Sequence, residues 1–236
     1  YEDIKSGLDF RTKRTPFSGG SGTLVPVPHK LPIALWTGIV TAAVCVAIGV
    51  YFYLLYGWPI LAIGALGLFV IVVYTPWLNR VPLLCLVAPG LGFGTLMVNG
   101  TYFALTGAFS WTALAVSFVP FFLVSNLLLL NQFPDVEADR TVGRKHLPIA
   151  IGRKASARVF ALFVAATYLT ILLGVALRLM PPWTLISLVS LLFALPAARG
   201  ALAHPDNLAR LGPSLGQNVL ANLAAPVLVG IGLLLG

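Results

Sequence analysis

Acidic side chains are nearly absent from this sequence, with only seven Asp and Glu in 236 residues and a charged share of 9%. Soluble domains carry roughly a quarter of their residues as charges. That shortage, with 58% hydrophobic residues and a mean hydropathy of +0.94, excludes a soluble globular protein. Cysteine is limited to Cys45 and Cys85, both inside apolar runs, which excludes a disulfide scaffold and casts the two as small core residues. Alternation of polar and apolar residues is also missing from the apolar runs, so helices are expected and a β-barrel is not. The net charge of +8 is no sign of nucleic acid binding, because the basic residues sit in loops beside apolar runs, where lipid headgroups and topology account for them.

What is present is a series of seven apolar runs, at 31–56, 59–76, 82–103, 109–131, 155–177, 181–199 and 215–236, each near bilayer length. They predict an all-α, multispanning transmembrane helical bundle within the lipid bilayer. Placing Lys and Arg on these runs puts fourteen of fifteen on one face and leaves only Arg178 on the other. By the positive-inside rule the first face is cytoplasmic. All seven acidic residues and all three histidines fall on that same side. An integral protein of the bacterial cytoplasmic membrane, with its chemistry facing the cytoplasm, is the expectation.

Three of the seven acidic residues lie in Asn131-Gln-Phe-Pro-Asp135-Val-Glu-Ala-Asp139, at the end of the fourth run. At helical spacing Asn131, Asp135 and Asp139 stack on one face while Glu137 points into solvent. Pro134 could kink or restart the helix there. Like charges one turn apart imply a cation, Mg²⁺ held together with a phosphorylated ligand. Four runs earlier, and so on the same face, Asp3 and Asp9 precede Arg11-Thr-Lys13-Arg14, just as Asp135 and Asp139 precede Arg140-Thr-Val-Gly-Arg144-Lys145. The spacing of six does not align Asp3 with Asp9 on a helix. Two such clusters facing one another can hold Mg²⁺ ions bridging the oxygens of a diphosphate, with basic residues neutralising the rest. Ser18–Gly22 is either a phosphate-contacting loop that closes over the cavity or a plain linker. Gly90-Leu-Gly92-Phe-Gly94 reads as a site of close helix packing. His146 and His204 are assigned no role.

Tyr1-Glu-Asp3-Ile-Lys5-Ser-Gly7-Leu-Asp9, Tyr74-Thr-Pro-Trp77 and Asn131 through Arg140 with Gly143-Arg144-Lys145 are together similar to the UbiA-type intramembrane prenyltransferases. The chain most resembles their menaquinone-synthesis branch, which acts on 1,4-dihydroxy-2-naphthoate. The resemblance implies nine helices, of which about seven are present, so residues 1–236 would form one membrane-embedded domain lacking its first two helices. It implies transfer of a prenyl chain from an allylic polyprenyl diphosphate to an aromatic acceptor in quinone synthesis, with Mg²⁺ as cofactor. By the same resemblance Asp3, Asp9, Asp135 and Asp139 are the catalytic and metal-binding set. Lys5, Arg11, Lys13, Arg14, Tyr74, Asn131, Arg140, Arg144 and Lys145 would bind substrate, and Tyr74 and Trp77 could face an allylic cation. The family's Tyr is followed four residues on by Lys, whereas here Leu78 follows Tyr74 at that spacing. Two other readings remain: a CDP-alcohol phosphotransferase, whose Asp-Gly and Ala-Arg pattern is missing, and a transporter, which would carry charges near the midplane and on both faces.

Overall fold

The computed structural model of the chain describes residues 1–12 and 14–236. Lys13, expected among the substrate contacts, lies outside the described residues. Seven long helices follow a short N-terminal segment: α1 (Leu31–Tyr56), α2 (Trp58–Tyr74), α3 (Pro82–Thr106), α4 (Trp111–Thr141), α5 (Leu147–Ala176), α6 (Pro182–Ala203) and α7 (Leu208–Leu235). Six of them are long and apolar enough to cross a membrane. The exception is α2, whose 17 residues rise about 26 Å.

Local chemistry sets where these helices begin and end. Prolines in the first turn, where no intrahelical N–H bond is lost, open α1, α2, α3, α5 and α6. Ser110 caps α4 by accepting from the Ala113 N–H, and Asn207 caps α7 by accepting from the Arg210 N–H. The reversals at Gly57 and Gly107 use positive φ, +76° and +71°, which glycine adopts without a Cβ clash.

The seven expected runs reappear as these helices, with two informative differences. The fourth extends beyond 131 to Thr141, continuing helically through Pro134. Its last turns therefore leave the apolar zone as helix and carry the acidic stripe with them. The fifth begins at Leu147 but breaks at Gly152 (φ +82°), which separates its first turn from the long apolar segment.

The core is built around α4, which packs against α3, α5 and α7. Phe133, Phe160, Leu130, Ile171 and Leu211 are wholly buried there. Interhelical polar contacts reinforce it: the Asn126 side chain donates to the Phe160 carbonyl at 2.9 Å, and the Tyr168 hydroxyl pairs with Ser190 at 2.8 Å. The glycine-rich stretch of α3 does serve close packing. A Cβ on Gly94 would stand 2.5 Å from the Phe121 nitrogen of α4, and Gly90 meets the Phe121 carbonyl, while Gly92 faces open space. By contrast α1 and α2 bury no residue and form an outlying hairpin. Cys45, on α1, is exposed, which corrects its expected place in the core. Cys85 is buried, and both are free thiols.

Candidate functional site

The N-terminal segment is a short helix, Glu2–Lys5, and a 3-10 turn, Leu8–Phe10, joined at Gly7 with φ +78°. Ile4 and Leu8 are its buried anchors. The left-handed turn changes the chain direction between Asp3 and Asp9, so two carboxylates that share no helical face both line one cavity. On the other wall the straight end of α4 presents Asn131, Asp135 and Asp139 in register. The cavity has a volume of about 290 Å³ and also takes in Tyr74, Asn79, Cys85, Gln132, Arg144 and His146. The loop Ser18–Gly20 also lines the cavity, with Gly19 and Gly20 at positive φ.

A further left-handed residue, Gly143 (φ +79°), ends α4. The Gly143 N–H donates to the Arg140 carbonyl, and the Arg144 N–H to the Asp139 carbonyl, capping orphan acceptors of the last turn. The reversal folds Arg144 and His146 back onto the helix. There Arg144 Nη1 lies 2.9 Å from Asp139 Oδ1 and His146 Nε2 lies 3.0 Å from Asp139 Oδ2. The same guanidinium reaches Asp3, joining the two acidic clusters. Burial holds the Asp3 carboxyl above the usual aspartate range despite the opposing pull of Arg144, and Asp9 and Asp139 push it further the same way.

Several expected contacts do not reach the cavity. Lys5, Arg11, Arg14, Arg140 and Lys145 are exposed and outside its lining. Lys5 lies over the Tyr1 ring, Arg14 donates to the Asp9 carbonyl, and Arg140 stands 3.9 Å from Glu137. Their long side chains follow the water, as membrane-flanking cations do. Trp77 is likewise exposed and outside the lining, whereas Tyr74 is part of it. Glu137 is solvent-facing as expected.

Residues without an assigned role also enter. His146, 1% exposed, orients Asp139, and the turn residue Gly143 just past the acidic stripe is the signal that the chain doubles back there. Cys85 accepts from the Gln132 side chain at 3.2 Å and lies 3.5 Å from the Tyr74 hydroxyl, giving that wall a neutral polar character. No sequence pattern announces this group, since its members come from α2, α3 and α4.

Among the described residues, no three His, Cys, Asp or Glu side chains stand together as a metal cage. The donor set nonetheless fits a hard divalent cation. Asn131 Oδ1 and Asp135 Oδ1, one helical turn apart in the cavity, are buried without a hydrogen-bond partner. All the acidic groups offer oxygen, and Mg²⁺ characteristically takes one or two carboxylates and completes its shell with phosphate oxygens and water.

Comparison with known proteins identifies the family. The model of the UbiA prenyltransferase family matches residues 26–210, a stretch that includes the α4 stripe and Arg144 but not Asp3 or Asp9. A 1,4-dihydroxy-2-naphthoate octaprenyltransferase of Bacillus subtilis (strain 168) is 26% identical over 243 residues, covering 100% of this chain and 75% of that protein. A 2-carboxy-1,4-naphthoquinone phytyltransferase of Synechocystis sp. is 29% identical over 124 residues, 52% of this chain and 39% of the relative. No solved structure matches the chain significantly.

Proposed function

The chain belongs to the UbiA prenyltransferase family and is an integral membrane prenyltransferase; from that premise we propose that it joins a polyprenyl diphosphate to 1,4-dihydroxy-2-naphthoate in the cytoplasm-facing cavity between its N-terminal segment and α4. The observation that carries this reading is the convergence of Asp3, Asp9, Asn131, Asp135 and Asp139 on one cavity, although the two groups are separated by three helices and most of a fourth. The relative from Bacillus subtilis, named for the same acceptor and aligned along the whole chain, supports the acceptor class.

Mg²⁺ bound to these oxygens would supply charge neutralisation for a departing diphosphate. Asn131 and Asp135 offer unpartnered oxygens for holding it, and Asp3, Asp9 and Asp139 complete the acidic lining. Arg144 is the described cation placed to meet the diphosphate itself, through a planar guanidinium suited to phosphate oxygens. As the carbon–oxygen bond to the diphosphate breaks, the prenyl carbon becomes an allylic cation. Tyr74 presents an aromatic ring to that space, and Leu8, Phe17 and Leu128 keep part of it dry. An electron-rich carbon of the acceptor ring attacks, and loss of its proton or carboxyl group restores aromaticity. The isoprenoid tail lies among the apolar helices.

Mass spectrometry of products from a panel of acceptors, including dihydroxynaphthoate, hydroxybenzoate and homogentisate, tests the substrate. Prenylated naphthoate products should dominate. Exclusive prenylation of hydroxybenzoate would move the chain to another branch of quinone synthesis.

A further inference from the structure

The cavity lining contains four carboxylates, those of Asp3, Asp9, Asp135 and Asp139, against one guanidinium among the described residues, that of Arg144. This single cation stands between the clusters. It pairs with Asp3 from the N-terminal segment and with Asp139 Oδ1 of α4, and its side chain is only 20% exposed. The position is therefore one where two carboxylates converge from separate elements on a positive charge, as they would on a bound divalent ion.

A guanidinium and a dication cannot share these oxygens, because like charges a few ångströms apart repel strongly where water is scarce. Asp139 is prepared for an exchange between them. Its Oδ2 is held by His146 Nε2 at 3.0 Å, so when Arg144 leaves, Oδ1 is freed while the carboxylate keeps its orientation. His146 is fully enclosed and its Nδ1 has no partner, so the ring is fixed by packing and by Asp139 alone. Arg144 also lies just past the left-handed turn at Gly143 that ends α4, so its long side chain is not part of the helix it pairs with.

We propose that Arg144 is a place-holding cation. It bridges Asp3 and Asp139 while no metal is bound, and it turns to the diphosphate when a divalent ion takes over the carboxylates. The proposal rests on the Mg²⁺–diphosphate reading of the cavity given above. Its consequence is that one side chain acts with opposite signs on the two ligands: Arg144 competes with the metal and recruits the diphosphate.

The test uses the whole chain in lipid nanodiscs, with Mn²⁺ binding followed by electron paramagnetic resonance, first alone and then with inorganic pyrophosphate. Arg144→Gln should bind Mn²⁺ about fivefold more tightly than the unmodified chain, the scale of one partly exposed ion pair, and should bind pyrophosphate about tenfold more weakly once Mn²⁺ is present. Arg144→Lys keeps the charge but holds one carboxylate at a time, so it should fall between the two, and it carries the comparison if the glutamine variant does not fold. Asp135→Ala reports on the underlying reading, since it should weaken Mn²⁺ binding. Mn²⁺ affinity that is unchanged or lowered by both Arg144 substitutions, with Asp135→Ala still weakening it, overturns the exchange and leaves the metal site standing. Mn²⁺ affinity indifferent to Asp135→Ala overturns the metal site itself.

Discussion

Arg144 pairs with Asp3, a residue 141 positions earlier in the chain, and in doing so closes the N-terminal segment onto the end of α4. This one contact joins two acidic stretches, each ordinary at a membrane surface, into a single site. Asp3→Asn removes the charge that Arg144 grips and one candidate metal oxygen together. Prenyl transfer at saturating substrate should fall by about tenfold or more, and limited proteolysis should cut the released N-terminal segment faster. Unchanged rates and cleavage would show that the contact is incidental.

His146 holds Asp139 through its Nε2, 3.0 Å from Oδ2. Its replacement should act as the loss of an outer-shell partner does, lowering metal affinity or activity about 10- to 100-fold. His146→Gln, which retains a hydrogen-bonding side chain, should recover part of that loss, whereas His146→Ala should not. Equal losses in both, measured as the Mg²⁺ concentration giving half-maximal rate, would mean that the ring only fills space.

Helix packing gives a prediction independent of chemistry. Adding a methyl group at Gly94 drives it into the Phe121 backbone, while the same change at Gly92 meets nothing. Gly94→Ala should lower stability by about 1–3 kcal/mol, the usual range for overpacking, and Gly92→Ala should leave it unaltered. Thermal unfolding in detergent of the two variants side by side distinguishes them, and equal midpoints would contradict the packing.

Burial keeps the Asp3 carboxyl protonated to a higher pH than a free aspartate. Metal ligation needs the carboxylate, so protons compete with the metal as pH falls. The Mg²⁺ requirement should therefore climb on acidification, beginning above the range where solvated carboxylates titrate. Asp3→Asn should flatten part of that dependence. A half-saturating Mg²⁺ concentration that stays constant from neutral to mildly acidic pH would argue against Asp3 as a ligand.

How far the sequence alone reveals this site varies from residue to residue. The α4 stripe was legible because Asn131, Asp135 and Asp139 follow the helical period in a chain with few carboxylates, and the helix does run through Pro134. Asp3 and Asp9 break that period and were picked out by their echo of the later carboxylate-then-basic pattern and by the resemblance; the left-handed turn at Gly7 brings them to one cavity. His146 was assigned no role because its partner is reached through another such turn, at Gly143. The basic residues were over-assigned for a different reason. Lys5, Arg11, Arg14, Arg140 and Lys145 are near the clusters in sequence, but which of two directions a long side chain takes is set by packing that a linear pattern does not encode. The seven apolar runs were read correctly as helices, six of them long and apolar enough to cross a membrane, since membrane solvation imposes helix and length together.

The most direct test of the whole account measures diphosphate release and prenylated product together, for the unmodified chain and for Asp135→Ala, with dihydroxynaphthoate and a polyprenyl diphosphate, in the presence and absence of Mg²⁺. The account predicts that both products appear only with Mg²⁺ and that Asp135→Ala abolishes them in parallel. Product formed without a divalent ion, or formed undiminished by Asp135→Ala, would contradict it.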